Sequence, residues 1–217
     1  MTTIATRNES AGAAGIILHA AARYDFLLRL LTLGRETVFR EKLLRFAALQ
    51  WGESVLDIGC GTGTLAIAAK RQVGPAGAVS GVDASPEMLT RAEKKARRSG
   101  LEVSFKNGLA QSLPFPAARF DVVLSTVMLH HLPKNSRREM AAEVRRVLKP
   151  GGRVVVIDFG RTGQDRKSIF DHIHGRHGRV DLQEVVDLLT SAGLKIYGSG
   201  AVGMRGLHFV VATVPCT

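Results

Sequence analysis

The chain has 217 residues, 45% of them hydrophobic, and a formal charge of +11 from 30 Lys and Arg against 19 Asp and Glu. That supplies a proper core for one domain and leaves too little chain for two of ordinary size, so a single domain is the default. Two cysteines, Cys60 and Cys216, exclude a disulfide framework and fit a reducing cytoplasm, while the positive charge favours anionic partners without choosing among them.

Residues 1 to about 12 are small and polar without periodicity, which predicts poor order. From Ile16 to Leu49 the pattern is helical, with Tyr24, Leu27, Leu28 and Leu31 on one stripe and a break at Gly34. His19, Arg23, Asp25 and Arg29 interrupt its apolar part, so the stretch reads neither as a signal-peptide core nor as a membrane-spanning helix. Residues 1–50 therefore read as an N-terminal helical extension, and 51–217 as the domain proper.

Within that domain, short apolar runs at Val55–Ile58, Ala78–Val82, Val103–Phe105, Phe120–Leu124 and Val154–Ile157 predict strands. Between them, Leu65–Gln72, Pro86–Arg98 with Ser85 as N-cap, and Ser136–Leu148 before Pro150-Gly151 predict helices. Strands alternating with helices imply a parallel sheet with right-handed crossovers, and continuously apolar strands imply cover on both faces. The fold class is α/β, doubly wound. Arg91, Lys94, Lys95 and Arg98 share one face of their predicted helix and read as a solvated surface.

The stretch "VLDIGCGTGTL" at 55–65 puts Gly59, Gly61 and Gly63 at alternate positions just after the first strand. Without Cβ atoms, that backbone can turn tightly and admit a ligand at contact distance. In a doubly wound sheet the ligand lies beyond the carboxyl ends of the strands, where strand order reverses. Asp83 closes the second strand 24 residues after Gly59, close to the separation at which an acid meets ribose hydroxyls. The spacing is G-x-G-x-G rather than G-x-G-x-x-G, and Asp57 precedes it. A carboxylate there repels a pyrophosphate and suits a cationic or amino-bearing ligand.

"VLDIGCGTG", "VSGVDASPEMLTRAEKKA", "LPFPAARFDVVLSTVMLHHLP" and "RRVLKPGGRVVVIDF" follow one another over about residues 50–160. They resemble the successive motifs of class I S-adenosylmethionine-dependent methyltransferases. The nearest resemblance is to the menaquinone and ubiquinone biosynthesis C-methyltransferases, whose N-terminal helix is similar to "ARYDFLLRLLTLGRETVFREKLL" and whose last helix and strands are similar to "LQEVVDLLTSAGL" and "LHFVVAT". The resemblance implies a mostly parallel, seven-stranded Rossmann-like sheet and S-adenosyl-L-methionine as cofactor, with S-adenosyl-L-homocysteine as product. It assigns Gly59, Cys60, Gly61 and Gly63 to the loop under the methionine moiety, Asp57 to its amino end and Asp83 to the ribose. Ala84 and Met88 would flank the adenine. Leu109 stands where many relatives carry an acid for the adenine amine, which leaves that task to the backbone of Gly108, Leu109 and Ala110 or to Asn107. Ser125 ends the fourth strand, where the backbone of such proteins meets the cofactor.

For catalysis the candidates are His130, His131 and Tyr24. "LHHL" resembles a stretch shared by members with different substrates, so a structural or cofactor-side role stands beside acid–base work. Tyr24 and His130, with His172 and His174 of "FDHIHGRHGRV", are the substrate-side candidates. The histidine run has no cysteine near it to complete a metal site, and no metal is expected. The resemblance implies methyl transfer to a small-molecule acceptor: a quinone precursor, a lipid or another natural product. The acceptor is of open identity because the interval from Asp158 to Asp181 is short for that group. A prenylated ring presented at an anionic membrane face suits the apolar N-terminal helix and the charge, which makes the protein cytoplasmic with peripheral membrane contact. A nucleic-acid methyltransferase is disfavoured, since "STVMLHH" replaces an aromatic motif after the fourth strand and only 6% of residues are aromatic. A non-catalytic cofactor-binding protein is the other alternative, suggested by Leu109.

Overall fold

A computed structural model of the protein describes residues 36–161, 180–203 and 206–216. Helices α1 (Glu36–Ala47), α2 (Thr64–Val73), α3 (Pro86–Arg98), α4 (Lys134–Val147) and α5 (Leu182–Ser191) pack around strands β1 (Ser54–Ile58), β2 (Ala78–Asp83), β3 (Ser104–Asn107), β4 (Phe120–Thr126), β5 (Leu148–Arg161), β6 (Val180–Asp181), β7 (Lys195–Ala201) and β8 (Leu207–Thr213). The sheet order is β3-β2-β1-β4-β5-β8-β7, with the two-residue β6 paired to β5. Strands β1 to β5 run parallel, whereas β8 is antiparallel to both β5 and β7. Strand order therefore reverses between β1 and β4, which is where a doubly wound sheet opens a crevice for a ligand.

Successive side chains of a strand point to opposite faces, and the buried residues sort accordingly. Val55, Val122, Leu124, Val155 and Ile157 join Leu43, Leu44 and Ala47 of α1 and Leu65, Ala66, Ala69 and Val73 of α2 in one core layer. Leu56, Ile58, Val123, Val154 and Val156 join Met140, Val144 and Val147 of α4 and Val185 and Leu189 of α5 in the other. This double cover explains why the strands read as unbroken apolar runs. Each buried Val, Leu or Ile stabilises the fold by about 1.5–3 kcal/mol. Helix α1 shares the sheet's core, and Arg153 of β5 pins its end, donating to Ala47 O at 2.6 Å and Ala48 O at 2.9 Å while pairing with Glu53 at 2.8 Å. Among the described residues, no helix is long and apolar enough to cross a membrane.

Helix α3 spans the predicted residues, with Ser85 Oγ accepting from Met88 N at 3.4 Å and Pro86 in its first turn. Most boundaries differ from the sequence reading by one or two residues, and three of the differences have a visible cause. Helix α4 starts at Lys134, ahead of the predicted Ser136, because Pro133 O already accepts from Arg137 N at 3.0 Å; Ser136 is buried within the first turn. Strand β5 is far longer than Val154–Ile157: Leu148 pairs with Phe120 of β4 before a register shift that spans 149–152, and past Ile157 the pairing continues with β8 and β6. Strand β3 runs on to Asn107, carried by its pairing with Asp83.

Candidate functional site

At the carboxyl end of β1 the chain turns through Gly59, Gly61 and Gly63, with φ of 69°, 52° and 75°. All three lie in the left-handed region that costs a side chain about 1–2 kcal/mol. Gly59 N and Cys60 N both donate to Val82 O, at 2.8 and 3.0 Å, which hooks the loop over the end of β2. A Cβ on Gly59 would collide with the side chain of Met128, and one on Gly63 would sit 2.8 Å from both Ala92 Cβ and the Phe105 ring. The loop is therefore gripped from the β4 side at Gly59 and from α3 and β3 at Gly63, where a side chain would force its neighbours to shift.

Asp83 shapes the loop from below. Its Oδ2 accepts from Gly61 N at 2.8 Å and its Oδ1 from Ser85 N at 2.9 Å. Each oxygen keeps a lone pair for a further donor. Burial raises the Asp83 carboxyl above its ordinary value, against the pull of those two N–H groups. Lys95 braces the same loop from α3, donating to Thr62 Oγ1 at 2.8 Å and Thr64 Oγ1 at 2.9 Å. That residue was grouped with a solvated face by its spacing, and the structure instead gives it a tethering role.

Asp57 is 1% exposed, and its Oδ2 has no hydrogen-bond partner. Burial pushes its carboxyl from 3.8 up to about 7; the Arg40 guanidinium on α1 and the Ala66 N–H pull it down, and Asp83 pushes it further up. The neighbouring strand ends in a second buried orphan, the Ser125 hydroxyl, opposite Ile58 in the register. Buried polar atoms normally have partners, so two unpartnered ones on β1 and β4, flanking the switch point, mark where a ligand's donors would go. A ligand with an ammonium group and vicinal hydroxyls fits this donor set: the ammonium neutralises Asp57, and the hydroxyls use the free lone pairs of Asp83.

Farther along the edge, Asn107 donates its amide hydrogens to Asp83 O at 3.0 Å and Ala84 O at 3.1 Å, and Gly108 N donates to Asp83 O at 3.2 Å. Asn107 thus uses its amide hydrogens to hold the 83–84 backbone, while its Oδ1 is the atom that would accept from an adenine amine. Met88 is buried, Ala84, Gly108 and Ala110 are half-buried, and Leu109 offers an exposed apolar side chain at 40%. Cys60 is buried against the loop, and burial pushes its thiol well up, so it stays protonated.

Just past β4, Val127 has φ of 53°, an outlier for a β-branched residue. Its N–H donates to Ile157 O at 2.7 Å, and the bend carries Met128 over Gly59 and opens a 3-10 turn at Leu129–His131. His130 is buried, with Nδ1 2.6 Å from Asp158 Oδ1, and its N–H donates to Asp158 Oδ2 at 3.2 Å. Phe159 N also donates to Oδ1, at 2.7 Å. The His131 ring lies 3.9 Å from that of His130. Arg137 of α4 clamps the turn, donating from Nε to Leu129 O at 3.2 Å and Leu132 O at 2.9 Å while pairing with Glu184 at 2.8 Å. Asp158 and Arg137 escaped the sequence reading. The signal for Asp158 was present, an acid closing the apolar run "VVVID" as Asp57 closes "VLD". Tyr24, His172 and His174 lie outside the described residues.

A left-handed glycine loop seated between acids on two adjacent parallel strands, in a sheet finished by an antiparallel pair, is the architecture of the S-adenosylmethionine-dependent methyltransferases. The methyltransferase domain family matches residues 55–152. The chain is 36% identical over 145 residues to the demethylmenaquinone methyltransferase of Lactobacillus johnsonii, covering 66% of this chain and 59% of that protein. It is likewise 36% identical over 164 residues to the ubiquinone/menaquinone biosynthesis C-methyltransferase UbiE of Ralstonia pickettii, covering 75% and 67%. The solved S-adenosylmethionine-dependent methyltransferase of Aquifex aeolicus superposes with a TM-score of 0.70 at 24% identity, over 89% of this chain and 98% of that one. The [4+2]-cyclase SpnF superposes at 0.68 with 22% identity, over 82% and 80%. The chain belongs to the methyltransferase family of the ubiquinone/menaquinone C-methyltransferases and demethylmenaquinone methyltransferases, and it spans about three fifths of the length of the first of these relatives.

Proposed function

We propose that the chain binds S-adenosylmethionine along the carboxyl edge of β1, β2 and β3 and transfers its methyl group to a small-molecule acceptor, with the ring of a quinone precursor as the first class to test. The observation that carries this reading is the unpartnered Asp57 Oδ2, buried beside a glycine loop whose far side is held by Asp83. When bound, the cofactor supplies an already electrophilic methyl on a sulfonium, so the protein's share is chiefly alignment and exclusion of water.

Asp57 takes the ammonium end and Asp83 the ribose hydroxyls. The loop at Gly59, Gly61 and Gly63 lets backbone approach the methionine chain. Ala84, Met88 and Leu109 supply apolar surface for the adenine, and backbone groups at Gly108 to Ala110 read its edge in place of the missing acid. The quinone-ring acceptor draws support from the names of the relatives. Methyl-labelled S-adenosylmethionine incubated with 1,4-naphthalenediol tests the reaction: labelled product carried by the ring supports it. Cofactor binding without label transfer to this ring, to a lipid or to RNA would overturn the enzymatic reading in favour of a binding protein.

A further inference from the structure

On the methyl-transfer reading, cofactor binding leaves one buried pair unused, His130 with Asp158. Asp57 and Asp83 serve the loop, whereas His130 lies in the turn after β4 and Asp158 within β5, two residues past Val156 and so on the face covered by α4 and α5. Thr126 pairs with Ile157 in the register, so the residues just beyond, Met128 over the glycine loop and Asp158 under His130, share one edge. The pair thus adjoins the crevice at the switch point.

The acceptors around His130 favour one tautomer of the neutral ring. Asp158 has two acceptor oxygens and no proton to give when ionised. It takes Nδ1–H at 2.6 Å, the His130 N–H at 3.2 Å and the Phe159 N–H at 2.7 Å. With Nδ1 the donor, the neutral ring carries its free lone pair on Nε2. The short Nδ1 contact is of the charge-assisted kind, and it grows stronger if the ring becomes cationic. A purely structural pair is not required to hold this turn. Arg137 already clamps Leu129 O and Leu132 O, and the backbone N–H of His130 anchors the turn to Asp158 without using the ring.

We infer that Asp158 is a positioning residue that holds His130 as its Nδ1–H tautomer, leaving Nε2 as the general base for an acceptor that must give up a hydroxyl proton as it is methylated. Nε2 takes the acceptor's O–H proton. The electron pair released into the acceptor forms the new bond to the methyl carbon, and the pair of the broken carbon–sulfur bond stays on sulfur. The proton rests on an imidazolium facing the Asp158 carboxylate until solvent removes it. A neutral amine acceptor attacks through its own lone pair and has no need of this arrangement before methyl transfer.

Two measurements on the full chain test it. In ¹⁵N nuclear magnetic resonance of the cofactor-free protein near pH 8, His130 Nε2 is expected to show the shift of an unprotonated ring nitrogen, and in Asp158→Asn that signature is expected to move to Nδ1. A wild-type Nε2–H tautomer overturns the inference whether or not any acceptor has been found. In turnover with 1,4-naphthalenediol, Asp158→Asn is expected to lower kcat about 100-fold or more with KM and S-adenosylmethionine affinity within about threefold, the size of a lost general base; Asp158→Glu is expected to recover part of it. An Asp158→Asn variant that binds cofactor and keeps kcat within about threefold of wild type would overturn the base role. If Asp158→Asn does not fold, the wild-type tautomer decides. Wild-type protein that fails to bind S-adenosylmethionine sinks the methyl-transfer reading instead, a failure calorimetry separates from the tautomer result.

Discussion

Asp57→Asn is expected to stabilise the cofactor-free protein while weakening its hold on the cofactor. Asp57 is 1% exposed with one oxygen unpartnered, and burial carries its carboxyl from 3.8 to about 7. The folded chain therefore keeps a proton that the unfolded chain releases above about pH 4. Because the folded value lies above the unfolded one, the favourable contribution is fully present below pH 3.8 and drains away as pH rises through about 7. At about 1.4 kcal/mol per pH unit of displacement, ionised Asp57 costs the folded state up to about 4 kcal/mol at pH 8. Asparagine has the same shape and no charge, so it removes that cost; its own amide desolvation returns roughly 1–2 kcal/mol. The net expectation is a gain of about 2–3 kcal/mol at pH 8, roughly 4–12 °C in Tm for a domain this size, shrinking by pH 4 to zero or slightly below. Thermal and urea melts of both proteins at the two pH values check it. A variant no more stable than wild type at pH 8, or a difference that does not change with pH, would refute the reasoning.

Gly63→Ala sets a Cβ 2.8 Å from Ala92 and Phe105 at a φ of 75°; a loss of about 2–4 kcal/mol in urea melts is expected from strain and overpacking together. Arg137→Met leaves Leu132 O without its side-chain donor, reduces Leu129 O to the Leu132 N–H and leaves Glu184 without its partner, so a loss of about 2–3 kcal/mol is expected by the same assay, with broadened resonances for the 129–131 turn. Lys95→Met removes both bonds to Thr62 and Thr64 but keeps the aliphatic stem. Calorimetry is expected to show cofactor affinity falling about five- to tenfold, with Tm nearly unchanged.

What sequence made legible was local. Ser85 before Pro86 announces a helix start by residue type alone, and α3 spans the predicted residues. The glycine run and the acids closing β1 and β2 stand within one strand–turn–helix unit and its neighbour, so the switch-point crevice could be located without coordinates. What stayed hidden depends on contacts between distant residues. Lys95 reaches threonines more than thirty positions away, and Asp158 meets His130 across 28 residues, for which no periodicity exists. Asn107 could be placed at the crevice from its position after the third strand, yet only the neighbouring carbonyls of Asp83 and Ala84 reveal that its donors are already used. The extent of β5 was missed for a related reason: Pro150 and two glycines argue locally against a strand, and only the distant partners Phe120 for Leu148 and Val214 for Gly151 and Gly152 keep the chain extended.

Calorimetric titration of the wild-type chain and of Asp57→Asn with S-adenosylmethionine and S-adenosylhomocysteine tests the central claim most directly. The account predicts micromolar binding of both ligands by wild type, weakened tenfold or more in a variant whose fold is intact by its melt. Wild-type protein that binds neither ligand, or an Asp57→Asn variant that binds both as well as wild type does, would contradict it.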